Sequence, residues 1–155
     1  MKITKIISVP LLAFGLSNPT IAQVDYKAAA DQLSTAGNVA LSSEDSFAAL
    51  KLFEQSLVAN PKHLAAYMGL AKTHFTLGND EEGFKYFDTA LLIDPTYLPA
   101  LEGKALEYLK RNSLDEARIA FAIIQKFCEI RACEEVLTVT EALASYEKTK
   151  EEKIS

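Results

Sequence analysis

The sequence predicts an all-α fold in which three pairs of helices stack as a solenoid and one further helix closes the end. The main evidence is an internal repeat: residues 52–61 and 86–95 share a Phe, a Leu and a closing Asn-Pro or Asp-Pro, 34 residues apart. A third, weaker copy follows around Phe121, again 34 residues after Phe87. This period is the length of a helix-turn-helix repeat. Apolar residues within each copy recur at helical spacing, and no segment has the alternating pattern of a strand.

The first 22 residues have the pattern of a secretory signal peptide. Lys2 and Lys5 precede an apolar run at residues 6–16, and Thr20-Ile21-Ala22 places small residues where a signal peptidase cleaves. The run is too short for a membrane span, which needs about 20 residues. We therefore expect cleavage after Ala22, export to the periplasm of a Gram-negative bacterium, and no membrane insertion of the mature chain.

After a short lead-in at residues 23–29, the three repeats are predicted at residues 30–63, 64–97 and 98–129. In each repeat, small residues stand where two helices must approach closely. An aromatic residue fills the layer to the next pair, because a single pair cannot bury its apolar face alone. These positions are Gly37, Ala71 and Ala105 in the first helices, Ala49, Gly83 and Ala117 in the second helices, and Phe53, Phe87 and Phe121 between pairs.

These residues resemble the pattern of the tetratricopeptide repeat (TPR) family, roughly W-x2-L-G-x2-Y, then A-x3-F, then a small residue and a Pro. The second repeat matches most closely, whereas the third has Glu129 in place of the terminal Pro. The matching residues of the second repeat are Tyr67, Leu70, Ala71, His74, Gly78, Gly83, Phe87, Ala90 and Pro95. The resemblance covers residues 30–129 and implies a right-handed α-solenoid that binds a protein or peptide.

The C-terminal segment carries the two cysteines of the chain, Cys128 and Cys133. An even cysteine count in an exported protein favours a disulfide. Residues five apart on one helix are too distant for a bridge, since the rise is about 1.5 Å per residue, so the helix must break between them. A pair of reduced thiols is the alternative. We predict a capping segment over residues 130–150, in which a helix runs from Glu134 to about Tyr146, and a disordered, charged tail at residues 151–155.

Composition argues against several classes of function. Removing residues 1–22 leaves 14 Lys and Arg against 21 Asp and Glu, a net charge of −7, which disfavours nucleic acid or an anionic membrane as partner. Two thiols are too few for a closed zinc site, so we expect no metal and no cofactor. His63 and His74 accompany no nucleophile or metalloprotease motif, and His74 stands at a packing position of the repeat. We therefore expect a protein that is not an enzyme.

The candidate binding surface is the concave face, which collects first-helix residues that packing does not use. Met68, Lys72 and Phe75 recur at i, i+4 and i+7 and form an apolar stripe with one cation, which suits adaptable peptide recognition. Packing against neighbouring helices is the alternative role for Phe75. The predicted groove residues are Asn38, Leu41, Met68, Lys72, Phe75, Glu102, Leu106 and Lys110.

Two functions fit this surface. The first is a non-catalytic interaction module that binds a protein or peptide segment in the groove. The second is a structural subunit or homo-oligomer of an envelope assembly, with the groove permanently occupied. One known use of the family, a clamp for the acidic C-terminus of cytosolic chaperones, does not transfer. Only Asn38 matches the clamp, while Gly69, Pro99 and Gly103 stand at other clamp positions.

Overall fold

A computed structural model describes residues 25–129 and 133–154, and each element in these ranges is an α-helix. The helices are α1 (Tyr26–Ser42), α2 (Ser46–Ala59), α3 (Leu64–Thr76), α4 (Asp80–Ile93), α5 (Leu98–Lys110), α6 (Leu114–Cys128) and α7 (Glu134–Ile154). Successive helices pair as α1 with α2, α3 with α4 and α5 with α6, and α7 packs against α5 and α6. The prediction of an all-α solenoid of three helix pairs with a capping helix is confirmed. The predicted signal peptide at residues 1–22 lies outside the described residues.

Polar side chains start several helices and fix their first residue. Asp25 accepts a hydrogen bond from the Ala28 amide at 3.0 Å, and Asp45 accepts one from the Ala48 amide at 2.9 Å. Such caps satisfy amides that have no partner within the helix. Because Asp25 caps α1, the helix begins at Tyr26, and the predicted lead-in at residues 23–29 is wrong for residues 26–29.

The turn inside each helix pair passes through one residue in the left-handed region. These residues are Glu44 (φ 62°), Gly78 (φ 77°) and Asn112 (φ 60°), and they too are 34 residues apart. Glycine adopts this conformation freely and Asn tolerates it, whereas Glu is strained there. The repeat is therefore present in the backbone as well as in the packing residues.

The pairs are joined where an aromatic ring of one second helix rests on a glycine of the next first helix. At the first junction, between the first and second pairs, Phe53 is fully buried, and a Cβ built at Gly69 would overlap its ring. At the second junction Phe87 is 1% exposed, and a Cβ at Gly103 would lie 2.7 Å from its Cζ. The glycines allow the closest approach of successive pairs.

The last junction, between the third pair and α7, is built differently. The sulfurs of Cys128 and Cys133 lie at bonding distance, 2.13 Å, with their Cα atoms 5.8 Å apart. As predicted, the helix is interrupted between the two cysteines, since α6 ends at Cys128 and α7 begins at Glu134. Val139 is fully buried against the core residues of α5 and α6.

Helix α7 is longer than the sequence predicts and continues to Ile154. Glu147 pairs with Arg118 of α6 at 2.9 Å, and Lys150 lies 5.4 Å from the centre of the Tyr146 ring. These contacts support the helix beyond Tyr146, so the predicted disordered tail at residues 151–155 is wrong for residues 151–154. The helix begins at Glu134 as the sequence predicts, and residues 130–132 of the predicted capping segment at residues 130–150 lie outside the described ranges.

Helix α7 runs in the same direction as α5. Thr138, near the start of α7, lies beside Glu102 near the start of α5, and Tyr146 shares a cavity with Leu109 near the end of α5. It therefore takes the place of the first helix of a fourth pair. None of the helices in the described ranges is long and apolar enough to cross a membrane.

Candidate functional site

The first helices α1, α3 and α5 line a continuous groove. A cavity of about 660 Å³ opens between α3 and α5. A smaller cavity of about 210 Å³ lies beside it, between α1, α3 and α5. Lys72 borders both cavities, so together they form one surface. We call this surface the concave groove, and its predicted members are Asn38, Met68, Lys72, Phe75, Leu106 and Lys110.

Two of the predicted groove residues lie elsewhere. Leu41 packs against the core cluster around Phe53, because it is apolar and faces the contact between α1 and α2. Glu102 is half-buried, has Glu135 and Thr138 of α7 as neighbours, and also lies near enough to Lys72 for that cation to lower its pKa. Burial raises the pKa of the Glu102 carboxyl, and the charge of Glu135 raises it further. Leu41 thus belongs to the core, and Glu102 belongs to the contact between α5 and α7.

Four charged residues of the concave groove, Asp80, Glu107, Lys110 and Arg111, pair with one another, whereas Lys72 lies apart from them. Its side chain is exposed and forms no ion pair within residues 25–129 and 133–154. By contrast, Lys110 is paired with Glu107 at 2.7 Å. The groove therefore offers one ammonium group available to a ligand, beside apolar side chains.

Phe75 has a packing role as well as a place in the groove. Its ring lies edge-on to Phe84 at 5.0 Å and tilted to Phe87 at 5.5 Å, measured between ring centres. A Cβ built at Gly83 would lie 2.7 Å from the Phe75 ring, so this ring fills the space between α3 and α4. The packing role considered from the sequence is therefore present, and the ring also borders the concave groove. Met68 borders the groove too, but it is only 8% exposed and offers little surface.

An arginine that the sequence pattern did not single out holds the Phe75 ring in place. The Arg111 guanidinium lies 4.6 Å from the centre of the Phe75 ring, and its Nε donates to Asp80 Oδ2 at 2.6 Å. A second hydrogen bond joins the same two groups, and Nη1 donates to Glu107 Oε2 at 2.5 Å. The hydrogen bond from Arg111 lowers the pKa of the Asp80 carboxyl, while Asp80 raises that of the guanidinium. Arg111 therefore joins the second pair to the third at the rim of the groove.

The groove is extended by a cavity of about 380 Å³ between α5 and α7. Leu106 and Lys110 border this cavity as well, so it continues the concave groove. Tyr146 and Lys150 line its far wall. The sequence pattern did not indicate this part, because the charged residues at the end of α7 resemble a tail.

A serine, a histidine and an aspartate lie in contact, although the sequence showed no such motif. His63 Nε2 lies 2.8 Å from Asp31 Oδ1, and His63 Nδ1 lies 3.2 Å from Ser56 Oγ. Ser56 is fully buried and donates its hydroxyl proton to the Ala30 carbonyl at 2.8 Å. A nucleophile must reach its substrate. The cluster therefore fastens α1, α2 and α3 together and has no geometry for catalysis.

His74 also has a packing role. Its ring stacks on Tyr86 with 5.2 Å between ring centres. Within the described ranges, no group of three or more His, Cys, Asp or Glu residues is placed to hold a metal ion.

The comparisons with known proteins agree with this architecture. Residues 34–97 match the family model described as tetratricopeptide repeat. No curated protein sequence matches the chain. Among solved structures, the first TPR domain of Spaghetti (RPAP3) bound to the HSP90 peptide SRMEEVD has a TM-score of 0.64 at 15% identity, covering 79% of this chain and 94% of that one.

Two further structures have the same fold. The Sgt2 TPR domain from Aspergillus fumigatus has a TM-score of 0.65 at 19% identity, covering 80% of each chain. The type III secretion translocator chaperone SycD of Yersinia enterocolitica has a TM-score of 0.67 at 17% identity, covering 80% of this chain and 96% of that one. Residues 34–97 thus match the tetratricopeptide repeat family model, and the repeated helix pairs have the fold of these solved TPR structures.

Proposed function

We propose that this chain is a non-catalytic protein-interaction module that binds a peptide or protein segment in the concave groove, in the periplasm after export. The main support is the groove itself, in which the exposed ammonium of Lys72 lies beside the apolar side chains of Phe75 and Leu106. Concave surfaces that combine apolar anchors with a few polar groups are typical ligand sites. An apolar anchor would supply affinity, and the single cation would fix the register of the bound segment.

The solved structures support binding of this general kind. The Spaghetti TPR domain is bound to an HSP90 peptide, and SycD is a translocator chaperone. The chaperone clamp itself does not fit this chain. Gly69 and Gly103 receive the rings of Phe53 and Phe87, and any larger side chain there would overlap those rings. The ligand is therefore a segment chosen by Lys72 and its apolar neighbours, not by a ring of clamp residues.

The test begins with a library of displayed peptides selected on the purified protein, and the affinity of a selected peptide is measured by fluorescence anisotropy. For a peptide with an acidic residue, Lys72→Glu should weaken binding about tenfold or more, since a favourable contact becomes a repulsive one. Leu106→Ala should weaken it about fivefold to tenfold, because an apolar anchor loses its contact.

Lys51→Glu is the matched control, because Lys51 is exposed on α2, outside the groove. It changes the net charge by the same amount as Lys72→Glu. Equal affinity of the Lys72, Leu106 and Lys51 variants for the peptide would overturn the proposal, as would a library that yields no binder. Phe75→Ala is not used, because its packing role would confuse binding with folding.

The periplasmic setting is proposed from the signal at residues 1–22. The mature chain should begin at Gln23, and intact-mass measurement of protein recovered from the periplasmic fraction would show it. Full-length protein retained in the cytoplasm or membrane would contradict the proposed setting without affecting the proposed binding activity.

A further inference from the structure

The outer face of α6 carries an apolar stripe. Ile119, Ile123 and Phe127 recur at i, i+4 and i+8 and are 63%, 39% and 40% exposed. Ile119 and Ile123 lie beside the side that α6 buries, which is formed by Ala117, Ala120 and Ile124, and Phe127 borders that side. Residues with this spacing lie above one another on a helix and form a continuous surface.

The corresponding positions of the earlier pairs carry no such stripe. They hold Lys51, Gln55 and Ala59 in α2 and Lys85, Thr89 and Ile93 in α4. The most exposed apolar residues on those helices are Phe47, Val58 and Leu92, and none of them has another apolar residue four positions away on its own helix. Isolated apolar residues are normal on a surface, whereas contiguous ones mark an interaction site. The packing of the repeat therefore does not explain the stripe on α6.

The charges beside the stripe indicate what covers it. Glu116 and Lys126 are exposed on the same side, near opposite ends of the helix, and neither forms an ion pair within residues 25–129 and 133–154. A second α6 packed in the opposite direction, with a twofold axis at the height of residue 121 along the helix, would bring Ile119 of one copy to Ile123 of the other. The same arrangement would place Glu116 opposite Lys126 twice, once on each side of the axis.

We propose that the stripe on α6 is a dimer interface at which two copies of this chain pack α6 against α6 in antiparallel orientation. A twofold interface must be complementary to itself, and the acidic start and basic end of α6 meet that requirement. A helix of 15 residues is about 22 Å long, so the contact is small and the dimer is expected to be transient, with a dissociation constant in the micromolar range. This inference does not depend on the proposed groove function.

Sedimentation equilibrium of the purified protein over about 1 μM to 1 mM tests the interface. The parent should form a dimer as concentration rises. Ile119→Lys combined with Ile123→Thr should abolish the dimer. The folding of this variant is expected to be intact, because α4 carries the same two residue types, Lys85 and Thr89, at the corresponding positions. Leu92→Thr is the control, since it removes an exposed apolar residue of α4, outside the stripe, and should leave the dimer unchanged.

A charge exchange distinguishes a second copy from any other partner or geometry. Glu116→Lys or Lys126→Glu alone should weaken the dimer about tenfold, because each places like charges together on both sides of the axis. The double variant Glu116→Lys/Lys126→Glu should restore dimerisation to within about twofold of the parent. The proposal would be overturned if the parent stays monomeric or if the single variants dimerise as well as the parent. It would also be overturned if the double variant dimerises as weakly as the single ones. Circular dichroism of each variant excludes unfolding as the cause.

Discussion

The first and last junctions of the solenoid perform the same task with different contacts. At the first junction the fully buried Phe53 ring presses on Gly37 and Gly69. At the last junction Phe121 is only half-buried, and Leu137, which stands 68 residues after Gly69, is 65% exposed. There a disulfide between Cys128 and Cys133 connects the helices. A backbone repeat can thus continue after its packing pattern has weakened, provided another contact takes over.

The largest difference between the two junctions should appear when each aromatic ring is removed. Phe53→Ala should lower the free energy of unfolding by about 4 kcal/mol, because it leaves a cavity in a fully packed site. Phe121→Ala should cost about 2 kcal/mol, since part of that ring already contacts water. Urea denaturation followed by circular dichroism measures both values. Equal losses would show that the last junction is packed as tightly as the first.

A matched pair of alanine substitutions sharpens the comparison at the next helix. Gly69→Ala should destabilise by about 2 kcal/mol, since overpacking against Phe53 costs about 3 kcal/mol and helix propensity returns about 1 kcal/mol. Leu137→Ala, at the corresponding position of α7, should change stability by less than about 0.5 kcal/mol because Leu137 is exposed. The same urea measurement applies. A neutral Gly69→Ala would mean that the Phe53 ring can move aside.

Reduction of the disulfide should affect the last junction alone. Opening so short a loop removes a constraint on the unfolded chain that corresponds to about 2 kcal/mol, which lowers the melting temperature by several degrees. Amide hydrogen exchange should accelerate in α7 and stay unchanged in α1 and α3. Free-thiol labelling before and after denaturation confirms the starting state. Two reactive thiols in the protein purified under oxidising conditions would contradict the bridge.

The smallest expected effects concern the left-handed residues of the turns. Glu44 in the first pair is less favourable in this conformation than Gly78 in the second pair. Glu44→Gly should stabilise the protein by about 1 kcal/mol, because it relieves a left-handed conformation in a residue that has a Cβ. Gly78→Ala should destabilise by about the same amount, and this cost is purely conformational since nothing lies within 4 Å of the added Cβ. If both substitutions are neutral in thermal melts, the turns relax without cost.

The fold was predictable because the repeat depends on residue size at fixed spacing. Close helix contacts require glycine or alanine, and the layer between pairs requires a large apolar ring, so both recur with the period of the repeat. The disulfide was predictable from the cysteine count and from the end of the third repeat, which places a break in the helix between Cys128 and Cys133. Side chains that contact distant elements gave no such signal.

The candidate site was therefore only partly predictable. Arg111 contacts Asp80, 31 residues earlier, and the positions before it in the repeat are Leu77 and Ser43, so no pattern pointed to it. Glu102 belongs by its repeat position to the groove, and only the location of α7 beside α5 removes it from there. The charged segment after Tyr146 has the composition of a tail, although Arg118 of α6 supports it as a helix through Glu147.

Helix α7 occupies the position of a first helix but has no second helix packed beside it in the described ranges, so the two ends of the solenoid should resist force differently. Val139 is the only residue of α7 that is fully buried within the described ranges, whereas α3 is covered on both sides by neighbouring pairs. In a linear array each element is held only by its neighbours. Under tension applied to the two ends of the chain, α7 should peel away first. The disulfide keeps the segment between Cys128 and Cys133 from extending, so this step releases only the 21 residues of α7. The helix pairs that are joined through Gly69 and Gly103 stay folded.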